Sequence, residues 1–181
     1  MKKYLFVLTI ALVGQVAFGQ VSGIPSADQV KSKFEKSTKD IENPKKAENP
    51  KTWINRGEVC LDAIDVHNYG LRTGMSIQEA KLMYGAPVAT NQKEVNSEPY
   101  EEDVYPNFTL YVKGGNVAFW NETNMFIDSV YQTAYKSFDK AYSLDVDKKQ
   151  TKKIAEGLNS LALKFNSAAM NYYTQQEYLK A

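Results

Sequence analysis

The chain has 181 residues, enough for one compact domain or two small ones. Its 22 Lys and Arg stand against 21 Asp and Glu, a balance that argues against a nucleic-acid binder relying on a broad phosphate-neutralising face. A single Cys and a single His exclude an internal disulfide framework, a Cys-rich zinc site and His-pair metal motifs.

Residues 1–19 carry the three-part pattern of a secretory signal peptide. Met1-Lys2-Lys3 is positive, Tyr4 to Val13 is apolar except for Thr9, and Ala17 and Gly19 are the small residues before Gln20. The apolar run is shorter than the roughly 20 residues that cross a bilayer core. The mature chain is expected to be exported to a bacterial periplasm or outer cell envelope, with no integral membrane segment. Cys60, beside Val59, Leu61 and Ile64, reads as a buried small hydrophobe.

Ser26 to Asn43 reads as a helix, with Val30, Phe34, Ser37 and Ile41 on one side. Residues 44–50, bounded by two Asn-Pro pairs, read as a loop. Pro50 opens a second helix that runs to about Asp65, with Trp53, Gly57, Cys60, Leu61 and Ile64 on its buried side. The period then changes. Ser76-Ile77-Gln78-Glu79 is a capping-box pattern that opens a short helix stopped by Gly85. Phe108–Val112 and Asn116–Trp120 flank Gly114-Gly115 and predict a β-hairpin. A third strand is expected near residues 94–105, because a lone hairpin is marginal in water. Helical spacing returns at Met125, with Phe126, Val130, Ala134, Phe138 and Ala141 in register. A polar link over 145–150 leads to a helix capped by Thr151, with Ile154, Leu158, Leu161, Ala162, Phe165 and Ala169 on its stripe. Asn171 to Thr174 predict a break, and Gln175 to Ala181 a further helix.

These stripes resemble the tetratricopeptide repeat (TPR), a helix pair with small residues where the helices approach closely. Leu158, Leu161, Ala162 and Phe165 match the first helix of a repeat; Tyr178 and Ala181 match the second, although Thr174 stands where Ala is usual. Trp53, Gly57 and Cys60 also match a first helix, with Arg56 in place of the usual Leu. Ala134, Phe138 and Ala141 match a second helix followed by Leu144-Asp145, but the usual Pro shortly afterwards is missing and Val146 is there. The resemblance implies one repeat split by an insert of about 60 residues, which loop-closure entropy tolerates. Gly57 costs roughly 1 kcal/mol against Ala inside a helix, and the close approach of the helix carrying Ala134 supplies its reason. Gly74-Met75-Ser76, Gly85-Ala86-Pro87 and the Lys113–Val117 hairpin make the insert resemble the small envelope proteins of the BamE/SmpA type, which implies a capped helix leading into three antiparallel strands.

Chemistry is sparse. Glu98, Glu101, Glu102 and Asp103 could take a cation, but neighbouring carboxylates on a strand point to opposite faces, poor geometry for a shared metal, and the run reads as a solvated strand edge. His67 beside Asp65 lacks any recognised nucleophile motif, so no catalytic, cofactor or metal residue is assigned. Tyr131, Tyr135, Tyr142, Tyr172 and Tyr173 lie beside the repeat stripe and are candidate partner contacts, since Tyr offers large area at low entropic cost.

The expected architecture is α+β and mainly helical: TPR-like hairpins with an inserted short helix and a three-stranded antiparallel sheet. The expected organisation is a signal peptide over 1–19, a helical hairpin over 20–66, the insert over 67–124 and TPR-like helices over 125–181, continuing beyond Ala181. The expected function is an exported scaffold that binds a protein or peptide partner, with no enzymatic activity and no nucleic acid. The alternative is an envelope-assembly or structural protein that acts through the insert.

Overall fold

The first helices begin where short polar side chains can satisfy free backbone amides. In the computed structural model, which describes residues 25–175, Ser26 caps α1 (Ala27–Glu42) with Gln29 returning the bond in a full capping box. Each Asn-Pro pair then starts a helix. Asn43 accepts from the amides of Lys45 and Lys46 to open α2 (Pro44–Ala47), and Asn49 accepts from Lys51 to open α3 (Pro50–Asp65). The expected loop over 44–50 therefore holds a helical turn, because Asn43 can cap what Pro44 pre-orients. Trp53 is only half-buried, and its indole N–H donates to the Ala47 carbonyl at 2.8 Å.

After α3 come α4 (Ile77–Tyr84), then β1 (Ala89–Val95), β2 (Glu98–Val104), β3 (Phe108–Lys113) and β4 (Asn116–Glu122). The sheet is an antiparallel meander in the order β1-β2-β3-β4. It has four strands where three were expected. The additional strand, β1, is polar and exposed, so it carried no hydrophobic alternation. Its turn to β2 is Asn96-Ser97, both at positive φ, the hairpin geometry that Gly114-Gly115 also adopts between β3 and β4. Ser76 caps α4 by accepting from the Glu79 amide, while the Glu79 carboxylate pairs with Arg72 at 2.9 Å. The reciprocal half expected of a capping box is thus diverted to an ion pair.

One sheet face, through Phe108, Leu110, Val112, Val117 and Trp120, packs with Met75, Ile77 and Ala80 of the α4 region. On the other face Tyr111 stacks on Phe119 at 4.5 Å and Tyr100 meets Phe119 edge-on. The acidic run lies on β2, inside the sheet and not at its edge, and Asp103 is fully buried under α4. It accepts from Thr90 Oγ1 at 2.5 Å, with Lys81 Nζ 3.7 Å away. Its alternation places it on the α4 face beside Leu110, so only its neighbours fit the solvated reading.

The chain returns to the helices with α5 (Val130–Leu144) and α6 (Thr151–Thr174). α5 starts five residues after Met125, where Ser129 turns through a left-handed conformation. Thr151 does not cap α6; its hydroxyl donates to the buried Asp145, which also accepts the Gln150 amide at 3.0 Å. α3 packs against α1, α5 and α6, and α5 packs against α6. Ile54 shares a core with Phe138 and Ala141, and Cys60 and Ile64 share one with Val130 and Ala134, so α3 and α5 run antiparallel. The residues expected to face one another across the split therefore do so.

Phe138 decides this packing. A Cβ built on Gly57 would lie 2.6 Å from its ring, and one on Gly157 would lie 2.4 Å away. Two helix glycines thus make the slot for one aromatic ring, and Gly57 answers to a side chain of α5 instead of to its backbone. Arg56 is buried: it donates to Ser37 Oγ and Thr38 Oγ1, both at 2.9 Å, and covers the Phe34 ring.

α6 continues through Asn171–Thr174, where a break was expected. Asn171 is held in the helix because its side chain bonds the backbone of Trp120, accepting from its N–H at 3.0 Å and donating to its carbonyl at 2.8 Å. Earlier on β4, Val117 exchanges backbone bonds with Gly74 and Met75. The outer edge of β4 is thereby covered, which removes a site of edge-to-edge association. Along α6 the buried residues are Ile154, Gly157, Leu161 and Asn171; Leu158 is half-buried, while Ala162 and Phe165 are exposed. Phe165 nevertheless keeps one contact with α5, meeting the Tyr131 ring edge-on. Tyr178 and Ala181, with the signal-peptide pattern, lie outside the described residues.

Candidate functional site

Three distant stretches meet at one cleft. α3 ends at Ile64 and Asp65, and the following turn presents Asn68. The end of β4 contributes Trp120 and Glu122, the first turn of α5 brings Val130 and Tyr131, and the middle of α6 brings Lys164 and Phe165. The cleft is open to solvent and its volume is about 700 Å³, within the range of ligand-binding clefts.

Its polar groups are paired across the elements. Asn68 Nδ2 donates to Glu122 Oε1, and Lys164 Nζ pairs with Asp65. Burial, reinforced by the negative charge of Asp65, pushes the Glu122 carboxyl up to about 7, with the Asn68 amide opposing the shift. Burial chiefly, and the Glu122 charge next, push the Tyr131 phenol well above its ordinary value. Tyr131 also meets the Phe165 ring edge-on at 5.9 Å. Met125, Leu163 and Phe165 give the cleft an apolar rim, and each is more than half exposed.

Of the five tyrosines singled out in the sequence, Tyr131 and Tyr172 line this cleft. Tyr135, Tyr142 and Tyr173 do not; all three are on the exposed surface, and Tyr142 carries Lys148 Nζ 4.6 Å above its ring. Sequence reasoning missed Asn68, Glu122 and Lys164 because no local pattern joins them. The Asn68–Glu122 pair spans 54 residues and the Asp65–Lys164 pair spans 99. Glycines inside helical stripes were the available cue to the Phe138 slot, and Gly157 carried the same signal as Gly57.

The remaining chemistry lies elsewhere. Cys60 is fully buried, and burial pushes its thiol up to about 11 against the opposing effect of Arg56, which makes it a poor nucleophile. His67 packs edge-on to Phe126 at 6.5 Å, and burial lowers its pKa. Among the described residues no group of three or more His, Cys, Asp or Glu is placed to hold a metal ion, and no helix is long and apolar enough to cross a membrane. Comparison with models of protein families, with curated proteins and with solved structures found no match in any of the three.

Proposed function

We propose that this chain is an exported helical-repeat scaffold that binds a protein or peptide partner in the cell envelope. The observation that carries the reading is the cleft of about 700 Å³, whose walls come from both the helices and the sheet and combine an exposed apolar rim with a few fixed polar groups. The helical contacts support the scaffold part. α3, α5 and α6 pack mutually, as the two helices of one repeat and the first helix of the next do in a TPR stack. The pattern of residues 1–19 supports export.

A photo-crosslinking amino acid at Met125, on the cleft rim, tests the binding role. Adducts with an envelope protein are expected there and not at Tyr142, near the end of α5 and outside the cleft. Equal adducts at both positions, or none at either, would remove the cleft from the account. Sequencing the N-terminus of protein from the envelope fraction tests export, and Gln20 is the expected first residue.

The second reading, an assembly protein acting through its α/β unit, draws on β1. Among the described residues this exposed strand pairs with β2 alone, and so is a place for strand addition. A Gln92→Pro variant that lost partner binding, while Met125 could be blocked without effect, would favour it.

A further inference from the structure

The charges lining the cleft do not cancel. Lys164 is committed to Asp65, which leaves the Glu122 carboxyl with the neutral amide of Asn68 as its partner. Around Glu122 stand Asp65 from α3, Tyr131 from α5 and, beyond Asp65, Lys164 from α6. Among the described residues lining the cleft, none supplies an uncommitted positive charge to it. The same cleft is lined by Met125, Leu163 and Phe165, apolar side chains that are each more than half exposed to solvent. An acid in a cleft that also presents exposed apolar side chains is complementary to a lysine or arginine side chain. Its methylene stem can cover the apolar side chains while its head group pairs with the carboxylate.

We propose that the cleft takes a segment of a partner protein in which a lysine or arginine, flanked by apolar residues, pairs with Glu122. This rests on the scaffold reading and names the ligand chemistry it leaves open. A bound cation replaces the missing countercharge and relieves the repulsion between Glu122 and Asp65. Glu122, protonated up to about pH 7 in the free protein, ionises on binding and releases its proton to solvent.

Titration of the ¹⁵N-labelled full chain with three blocked peptides tests this. Ac-Leu-Lys-Leu-NH₂ is compared with its norleucine and glutamate counterparts, and the side-chain signals of Asn68, Asn171 and Trp120 are followed. The lysine peptide is expected to bind at least about tenfold more tightly than the norleucine peptide at pH 8. Its affinity is expected to fall roughly tenfold at pH 6, where only about a tenth of Glu122 is ionised, while the norleucine peptide changes little. In Glu122→Gln the lysine advantage should disappear. Equal binding of lysine and norleucine peptides would overturn the cationic assignment and leave the scaffold reading standing. If none of the peptides moves the cleft signals up to millimolar concentration, both fail. Signals that move with protein concentration alone would mean that a second copy of the chain fills the cleft, which also overturns the proposal.

Discussion

The helical stack and the α/β unit solve the burial problem in opposite ways. The α/β unit draws its core from residues 71–120, a continuous stretch, and packs one amphipathic helix against alternating strand residues. The stack joins α3 to α5 and α6 across that stretch, with one ring, Phe138, seated between two glycines. The first is a local construction whose weak point is a sheet edge. The second is non-local and has its weak point at a single slot. Polar bonds tie the two together: Asn171 on the β4 backbone and the Asn68–Glu122 pair, with Asp65–Lys164 closing the stack beside them.

Removing the ring should break the stack most severely. Phe138→Ala leaves a void lined by Gly57 and Gly157 and should cost roughly 3–5 kcal/mol, as large core truncations do. Hydrogen exchange is expected to lose protection across residues 54–64 while Leu110 and Val117 keep theirs. Equal loss in both regions would mean that the α/β unit has no stability of its own.

Next in size is the response of these polar bonds to pH. Glu122 has a pKa of about 7 in the folded protein, above the ordinary carboxyl value of an unfolded chain. The folded state therefore holds the extra proton, and the contribution is present below the unfolded pKa and lost as pH rises through 7. Stability should decline between about pH 5 and 8 by up to about 3 kcal/mol, and Glu122→Gln should flatten that decline in denaturant titrations. A wild-type profile that is flat over the same range would contradict the burial of this carboxyl.

Asn171→Ala sharpens the contrast from the other side. It leaves the buried Trp120 amide without a partner, whereas the Trp120 carbonyl keeps the Gln175 side chain. A loss of about 2 kcal/mol is expected, with faster exchange at Trp120 and unchanged exchange at Ile54. The smallest effect is Gly57→Ala. The added methyl gains about 1 kcal/mol of helix propensity but meets the Phe138 ring. The clash should win by about 1–2 kcal/mol, and Phe138→Leu in the same chain should show positive coupling by making room. A Gly57→Ala protein more stable than the parent would show that the slot is loose.

The amino-acid sequence by itself determined the parts that depend on neighbours within a few residues. The starts of α1, α3 and α4 follow from Ser26, Asn49 and Ser76, and the end of α4 from Gly85, because a cap acts across three or four residues. The Gly114-Gly115 hairpin follows from its own turn geometry. The facing of Trp53, Gly57 and Cys60 toward Ala134, Phe138 and Ala141 was legible as well, since small residues inside apolar stripes need a close partner. Tertiary structure decided which stripes were covered. Phe138 and Phe165 stand on equally helical patterns, yet one is fully buried and the other is more than half exposed, because only the first meets glycines on two other helices. It also decided that Asn171 stays helical, since the strand backbone that holds it lies 51 residues away. The cleft belongs to the same class: Asp65, Asn68, Glu122 and Lys164 are ordinary surface residues in sequence, and only the docking of α3, β4 and α6 desolvates them together. Periodicity specifies what a segment can bury, while the energy of burial depends on a partner whose position the local pattern does not encode.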